Sequence, residues 1–415
     1  MKPVYHERKS CRVCGSDELL PVLSLGNQYV INFPEGNAPD DSIRAPLDMV
    51  LCGNTDCSLA QLKHTVDPDL MYRQYWYRSG INQTMRDALA DVTRAVKERI
   101  SLRGKDVVID IGANDGTLLR TYRVQGLLTV GFEPATNLME LAKDGTSLII
   151  NDYFSHEAFA KAMPGKKARV VTSIAMFYDL EDPNRFVQDV STVLTEDGFW
   201  INQMNYLGSM LAQNAFDNIS HEHLEYYSLS SLQFLLARHG LEVFDVELNN
   251  LNGGSIRAYI AHHGRYPVHD RVVALRASET PLNTFQPYQE FVDRLSEVRK
   301  KVCGFIRAEH SAGKKIYVYG ASTRGNTLLQ YFGLNDSVIT AAAERNPAKW
   351  GKRMAGTGIL IVSEDEARKA KPDYFFVLPW AFIDEFVERE GEFLRGGGRF
   401  IVPLSEFRIL TAANR

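Results

Sequence analysis

The chain has 415 residues, enough for two to four domains at roughly 100–200 residues each. With 45% hydrophobic and 24% charged residues, its composition is globular and supports sizeable cores. A formal net charge of -4 without a basic stripe argues against a nucleic-acid surface, and no apolar run approaches the ~20 residues a membrane helix needs. The N-terminal stretch MKPVYHERKSCRVCG lacks the apolar core of a secretory signal, so a cytoplasmic enzyme is the expected class.

Four of the five cysteines, Cys11, Cys14, Cys52 and Cys57, fall in the first 57 residues. Without a secretory signal, such clustering reads as metal binding before disulfides. A Cys-x2-Cys pair and a Cys-x4-Cys pair can give one tetrahedral Zn2+ four thiolates. That set leaves no open coordination position. The expectation is therefore a structural staple for a small N-terminal domain, residues 1–80 with the aromatic segment that ends it. The aromatic segment carries Tyr72, Tyr75, Trp76 and Tyr77, either a packing plug or a lid with phenol hydroxyls over a ligand. Met85, Leu89, Val92 and Val96 then recur at helical spacing. The fifth cysteine, Cys303, sits in another helical pattern and reads as a core residue.

Residues 81–240 alternate strands and helices, which predicts a doubly wound, mostly parallel sheet. Strands are expected at Asp106–Asp110, Leu127–Phe132, Ser147–Ile150, Ala168–Ile174 and Gly198–Met204. Helices are expected at Thr117–Tyr122, Pro183–Leu194 and Ser230–His239. Ligands of such sheets sit at the carboxyl ends of the strands. The first strand ends in IGANDG (111–116), where Gly112 permits a tight turn and close backbone approach. Glu133 ends the next strand, where a carboxylate can accept both hydroxyls of a ribose. The loop is not G-x-G-x-x-G, so a pyrophosphate cradle is missing and an adenosyl ligand without phosphates fits better. Asn151 and Asp152 follow a later strand, and Asp152 by itself also suits a helix N-cap or a turn.

HEHLEYYS (221–228) places two imidazoles and a carboxylate in one run. They suit metal binding, proton transfer or a hydrogen-bonded corner, but no third metal ligand stands at a recognisable spacing. Residues 241–415 form a third segment. NGGSIR (252–257) is either a plain hairpin or a means of bringing Ser255 and Arg257 to a phosphate. A second strand–loop–helix pattern follows, with strands at Lys315–Tyr319, Val338–Ala343, Tyr374–Leu378 and Arg399–Val402. Its loop holds Gly320, Ala321, Arg324 and Asn326 without an acidic residue. It is either an ordinary turn or a receiver for an anion such as a diphosphate.

Taken in order, these motifs resemble one family. A four-cysteine domain, a tyrosine-rich segment, D-x-G-x-N-D-G, HEHLEYYS, GGS-x-R, GA-x-x-RGNTLL and ERNP-x-K together resemble the S-adenosylmethionine (SAM)-dependent sugar C-methyltransferases, over nearly the whole chain. The resemblance implies a zinc-binding domain, a central class I methyltransferase domain of Rossmann-like fold, and a second Rossmann-like α/β domain that holds a nucleotide-linked 4-keto-6-deoxy sugar. It implies SAM contacts from Asp110, Gly112, Asn114, Asp115, Gly116, Glu133, Asn151 and Asp152. It implies substrate contacts from Ser255, Arg257, Gly320, Ala321, Arg324 and Asn326. His223 matches the last histidine of the family motif and is expected as the base that makes an enolate, with Glu222 orienting it or holding a sugar hydroxyl. His221 is expected to be mainly structural. Ser220 stands where the family usually has tyrosine, and Asn252 where it often has histidine. The sequence MFYDL (176–180) replaces a more usual Ala-His pair with Tyr178 and Asp179. Tyr178 or Tyr77 is expected to supply the missing hydroxyl. The alternative is an O- or N-methyltransferase on a nucleotide sugar or related small molecule, which needs no ketone. A nicotinamide oxidoreductase is disfavoured by both glycine loops, and a zinc-containing nucleic-acid-binding module by the net charge.

Overall fold

The computed structural model describes residues 4–30, 33, 43–73 and 75–414, except for the side chain of Asn252, so the expected difference there lies outside the described residues. Near the N-terminus two turns present the paired cysteines. Gly15 N–H bonds Cys11 O at 3.0 Å, and Cys57 N–H bonds Asn54 O at 3.1 Å. The Sγ atoms of Cys11 and Cys57 lie 3.7 Å apart, those of Cys14 and Cys52 3.5 Å, and all four fall within 4.8 Å of one another. Sulfurs about 2.3 Å from a tetrahedral Zn2+ stand about 3.8 Å apart, so the four thiolates fit that ion. Their protons also conflict. Hydrogen bonds from Cys52 and Cys57 pull the Cys11 thiol down, while the shared bonds with Cys11 push Cys52 and Cys57 up. A dication lets all four ionise.

Beside the cysteines runs a four-stranded sheet in the order Glu225–Tyr226, Ala60–Leu62, Arg44–Cys52, Leu19–Tyr29. Its edge strand, Glu225–Tyr226, comes from the middle of the chain, directly after the two histidines. Cys11, Cys52 and Cys57 share a core with the central sheet, and the buried guanidinium of Arg12 reaches Thr65 Oγ1 at 2.7 Å and Glu181 at 3.3 Å.

The central sheet has seven strands. In space they run Leu241–Asn249, Ser255–His262, Leu194–Asn205, Ala168–Ile174, Val107–Ile111, Leu128–Phe132, Leu148–Ile150. The five strands before residue 206 are parallel, and Ser255–His262 enters antiparallel beside Leu194–Asn205. Val107–Ile111 is buried throughout, as a central parallel strand requires. The sheet therefore runs past the expected boundary at 240, because the last two strands find their hydrogen-bond partners here. NGGSIR joins them as a hairpin. No regular helix follows the glycine loop either. Only one 3-10 turn, Leu119–Thr121, forms there, and the Thr121 hydroxyl bonds Leu118 O at 2.6 Å.

Helix Gln83–Arg99, capped by Asn82, buries Met85, Leu89, Val92 and Val96. The 26-residue helix Gln286–Ser311 leads to the third unit. This is a six-stranded sheet in the order Ile361–Ser363, Ala341–Glu344, Ile316–Tyr319, Tyr374–Val377, Arg399–Val402, Arg408–Leu410, with only the last strand antiparallel. One core joins the third unit to the N-terminal sheet and to residues 207–226. Cys303 packs against that core, its thiol bonded to Phe332 O at 3.1 Å.

Replacing Cys11 by serine is expected to remove the metal and lower the thermal midpoint by roughly 10 °C or more. Calorimetry and metal analysis read the two effects. A metal-free variant as stable as the wild type would remove the staple from the account.

Candidate active site

The first strand of the central sheet delivers Asp110 and then turns. Gly112, at φ +72°, and Asn114, at φ +52°, bend the loop, and the N–H groups of Gly112 and Ala113 both bond Phe132 O at 2.9 Å. A side chain at Gly112 would begin 3.2 Å from Met176, in the space the loop leaves open. Glu133 closes the loop from the next strand. Its Oε2 accepts Asn114 N–H at 2.7 Å and its Oε1 accepts Ala135 N–H at 2.8 Å. Burial pushes this carboxyl up and the two backbone bonds oppose it. Each oxygen keeps a lone pair for a further donor. Asp110 is pushed up to about 7 by burial, partly offset by the Thr172 hydroxyl at 2.6 Å.

The other expected cofactor residues do different work. The Asn114 side chain accepts Ser79 N–H at 2.9 Å and donates to Tyr77 O at 3.1 Å. Asp115 accepts Gly80 N–H at 2.8 Å. These two residues tie the aromatic segment down onto the loop. Gly116 packs under Ala142. Asn151 donates to the main-chain O of Glu133 at 2.8 Å, fixing the backbone there rather than facing the cavity. Asp152 is exposed at the cavity wall and accepts Tyr153 N–H at 2.9 Å, while Ser155 caps the following helix.

A cavity of about 520 Å³ opens over this loop. Asp110, Gly112, Asn114, Glu133 and Asp152 line one end, and Tyr178, Glu222 and His223 line another. Tyr77 stands half-exposed in its wall, with Tyr72 and Tyr75 beside it. Arg324 reaches in from the third unit.

The histidines are placed by strand pairing. Leu224 N–H bonds Tyr178 O at 2.7 Å, Leu62 N–H bonds Leu224 O at 2.8 Å, and Glu225–Tyr226 then joins the N-terminal sheet. The turn before this pairing, closed by His223 N–H on Ser220 O at 3.0 Å, leaves His221 pointing away from the cavity. Its Nε2 donates to Ala45 O at 3.0 Å, and burial pushes its pKa down to about 4. His223 faces the cavity, with Nδ1 donating to Asn218 O at 2.7 Å. Nδ1 thus carries the hydrogen, and the Nε2 lone pair has no partner among the described residues. Burial, aided by the Arg324 charge, pushes this imidazole down to about 3. The Tyr178 ring meets it edge-on at 4.4 Å between centroids. The Glu222 carboxyl is pushed up to about 7 by burial and has no hydrogen-bond partner among the described residues. Ser220 is buried and does not line the cavity.

On the far wall, Ser322 caps helix Thr323–Phe332, and Arg324 pairs with Asp217 at 2.6 Å. Gly320, Ala321 and Asn326 lie behind this wall. Gly320 N–H bonds Ala343 O at 2.8 Å, Ala321 N–H bonds Glu344 at 3.0 Å, and Asn326 donates to Ala355 O at 3.1 Å. Ser255 and Arg257 also stand outside the cavity. Ser255 donates to Leu251 O at 2.9 Å, and the buried Arg257 pairs with Asp91 at 2.8 Å and donates to Gln203 at 2.7 Å. The double glycine before them serves packing: a side chain at Gly253, at φ +84°, would start 3.0 Å from Trp380. Asp179, Asp217 and Trp380 line the cavity without having been singled out as site residues, since each meets it only through folding. Of these, Asp179 alone carried a signal, as half of an unusual residue pair.

A model of the C-methyltransferase C-terminal domain matches residues 250–405, a methyltransferase domain model matches residues 81–246, and a zinc binding domain model matches residues 11–72. The chain is 33% identical over 418 residues to the C-methyltransferase NovU of Streptomyces niveus, covering 99% of each. Among solved structures, it aligns with a SAM-dependent methyltransferase from Clostridium acetobutylicum (11% identity, TM-score 0.34, 45% of this chain and 94% of that one). A second such structure, from Aquifex aeolicus, aligns at 14% identity and TM-score 0.34 over 44% of this chain and 94% of that one. The central sheet is the class I methyltransferase fold expected from the sequence.

The geometry fixes the state of the inner imidazole. In 15N-histidine spectra, His223 is expected as the neutral Nδ1–H tautomer from pH 5 to 8, on the strength of a pKa pushed down to about 3. A titration midpoint near 6.5 would contradict this placement.

Proposed function

Because the chain belongs to the SAM-dependent C-methyltransferase family, we propose that its substrate is a nucleotide-linked 4-keto-6-deoxy sugar, methylated through an enolate on the carbon beside the ketone. The observation that carries this reading is the single cavity in which Glu133, the free Nε2 of His223 and Arg324 meet from separate elements. SAM, when bound, supplies an electrophilic methyl group. The chain's own residues then have to bind, align and move one proton. Glu133, held by two backbone donors, has the lone pairs to take both ribose hydroxyls. The loop before it has no pyrophosphate cradle, which suits an adenosyl group.

Carbon is a poor nucleophile until its hydrogen is removed. The Nε2 of His223 takes that proton. The C–H electron pair becomes the new C=C bond, and the charge moves to the ketone oxygen. With the cofactor bound, the enolate carbon would take up the methyl group as the S–CH3 bond breaks, its electron pair staying on the departing sulfur, while the ketone re-forms. A buried imidazole with a depressed pKa is a weak base toward water. Beside an enolate, the same low dielectric strengthens the imidazolium–enolate attraction and offsets that weakness. Glu222 holds a sugar hydroxyl, and Tyr77 and Tyr178 bound the sugar. Arg324, at the start of its helix and steadied by Asp217, meets the diphosphate. Gly320, Ala321 and Asn326 shape this wall from behind, while Ser255 and Arg257 hold the edge of the central sheet. No described helix is long and apolar enough to cross a membrane, and an enzyme drawing on SAM and a nucleotide sugar acts in the cytoplasm.

The deciding experiment incubates the protein with SAM and a panel of nucleotide-linked 4-keto-6-deoxyhexoses in deuterated water. A product carrying one carbon-bound methyl, by mass spectrometry, is the expected outcome. Absence of both methylation at carbon and deuterium wash-in, from protein that binds SAM, favours O- or N-methylation or a ketone outside the panel. His223→Ala is expected to keep SAM affinity and lower turnover by roughly 10²–10⁴-fold; unchanged turnover removes it from the mechanism. Glu133→Ala is expected to weaken SAM binding by roughly 10–100-fold in calorimetry, and normal affinity overturns the ribose assignment.

A further inference from the structure

Asp179 ends the turn Phe177–Asp179 that follows strand Ala168–Ile174. That strand lies directly beside Val107–Ile111, so its carboxyl end opens on the cavity next to the Gly112 loop. The preceding residue, Tyr178, is the one whose ring meets His223. Asp179 Oδ1 is buried and has no hydrogen-bond partner among the described residues. The His223 imidazole, only 8% exposed, offers a second unpartnered atom, Nε2, to the same cavity.

The charged groups that act on Asp179 itself are carboxyls. Glu222 and Glu225 act on it, and both Glu225 oxygens are buried without partners. No lysine, arginine or histidine forms an ion pair with Asp179, Glu222 or Glu225 among the described residues. Arg324, the cation of this wall, pairs with Asp217 instead. Burial first, and then these two neighbouring carboxyls, push Asp179 well above the ordinary carboxyl range, with only the Tyr72 hydroxyl opposing. Arg12 acts on Glu225 and Arg324 on Tyr178 and His223, but neither pairs with Asp179, and a buried carboxyl beside like charges favours its protonated, hydrogen-bond-donating form.

We propose that Asp179 is a further catalytic residue, a neutral carboxyl whose O–H donates a hydrogen bond to the ketone oxygen as it becomes the enolate oxygen. The proposal rests on the enolate reading given above. The proton balance is simple. His223 Nε2 receives the carbon-bound proton, the C–H pair enters the C=C bond, and the Asp179 proton stays on its own oxygen. The donor strengthens its bond as charge develops, so it acts on the transition state more than on the bound ketone.

The test compares Asp179→Asn, which keeps a donor of the same shape but never ionises, with Asp179→Leu, which fills the space without a donor. Turnover, SAM affinity and deuterium wash-in are read on the panel sugar that wild-type enzyme uses best, with thermal midpoints for each variant. Asn is expected to retain kcat within about threefold. Leu is expected to lose roughly 10²–10³-fold in kcat and in wash-in, with SAM affinity unchanged in both. If Leu does not fold, Asp179→Ala replaces it. An Asn variant as crippled as Leu overturns the proposal in favour of an ionised carboxylate facing a cation, as does an Asn variant with weakened SAM binding. A fully active Leu or Ala variant removes the residue from catalysis. Wash-in that survives His223→Ala, or that is absent from wild type, defeats the base or enolate reading, whereas its loss in His223→Ala beside a fully active Asp179→Leu defeats only the Asp179 proposal.

Discussion

The pairing of residues 224–226 with two neighbours is the constraint on which this molecule depends. Leu224 donates to Tyr178 O and accepts from Leu62 N–H, and Glu225–Tyr226 then completes the N-terminal sheet. The strand belongs by sequence to the methyltransferase segment and by hydrogen bonding to the cysteine domain. A turn closed by His223 N–H on Ser220 O at 3.0 Å precedes this strand and sends the two imidazoles to different sides. With this register His221 meets Ala45 O and His223 meets the cavity. The cysteine cluster stiffens the sheet that sets the register. It can thereby influence chemistry while offering no coordination position to a substrate.

That arrangement explains which features the sequence reveals. The cysteine pairs, the first glycine loop and Glu133 are legible because each needs particular residue types at short, fixed spacings. The roles of Asn114 and Asp115 are less so. Their side chains turn toward Ser79 and Gly80, a choice made by a segment some 35 residues earlier in the chain. Arg257 looked like an anion ligand because it follows a double glycine. In the sheet it lies opposite Gln203 and within reach of Asp91, which consume its donors. The expected boundary at 240 lies inside the central sheet for a similar reason. A hairpin gives no local sign of which sheet will accept it as an edge. Trp380 and Asp217 are invisible as site residues for the same cause, since they come to the cavity from two different units.

The cavity also has an electrostatic character that no single motif announces. His223 is held below its ordinary pKa, and Asp110, Glu133, Asp179 and Glu222 are held above theirs, all chiefly by burial. These shifts share one direction in charge: each favours the neutral form. A site built this way resists standing charge before reaction. It does not resist charge created in pairs, because opposite charges attract strongly where water is excluded. Proton transfer from a ketone's neighbouring carbon to an imidazole creates such a pair, and a neutral donor beside the oxygen adds to its stability without placing another charge in the site. An alcohol that loses its proton only as it is methylated makes weaker demands of this kind. Under the enolate reading proposed above, the buried wall formed by Tyr178, Asp179, Glu222 and His223 suits a carbon acid better than a hydroxyl, because its neutral groups meet a charge pair only as the reaction creates one.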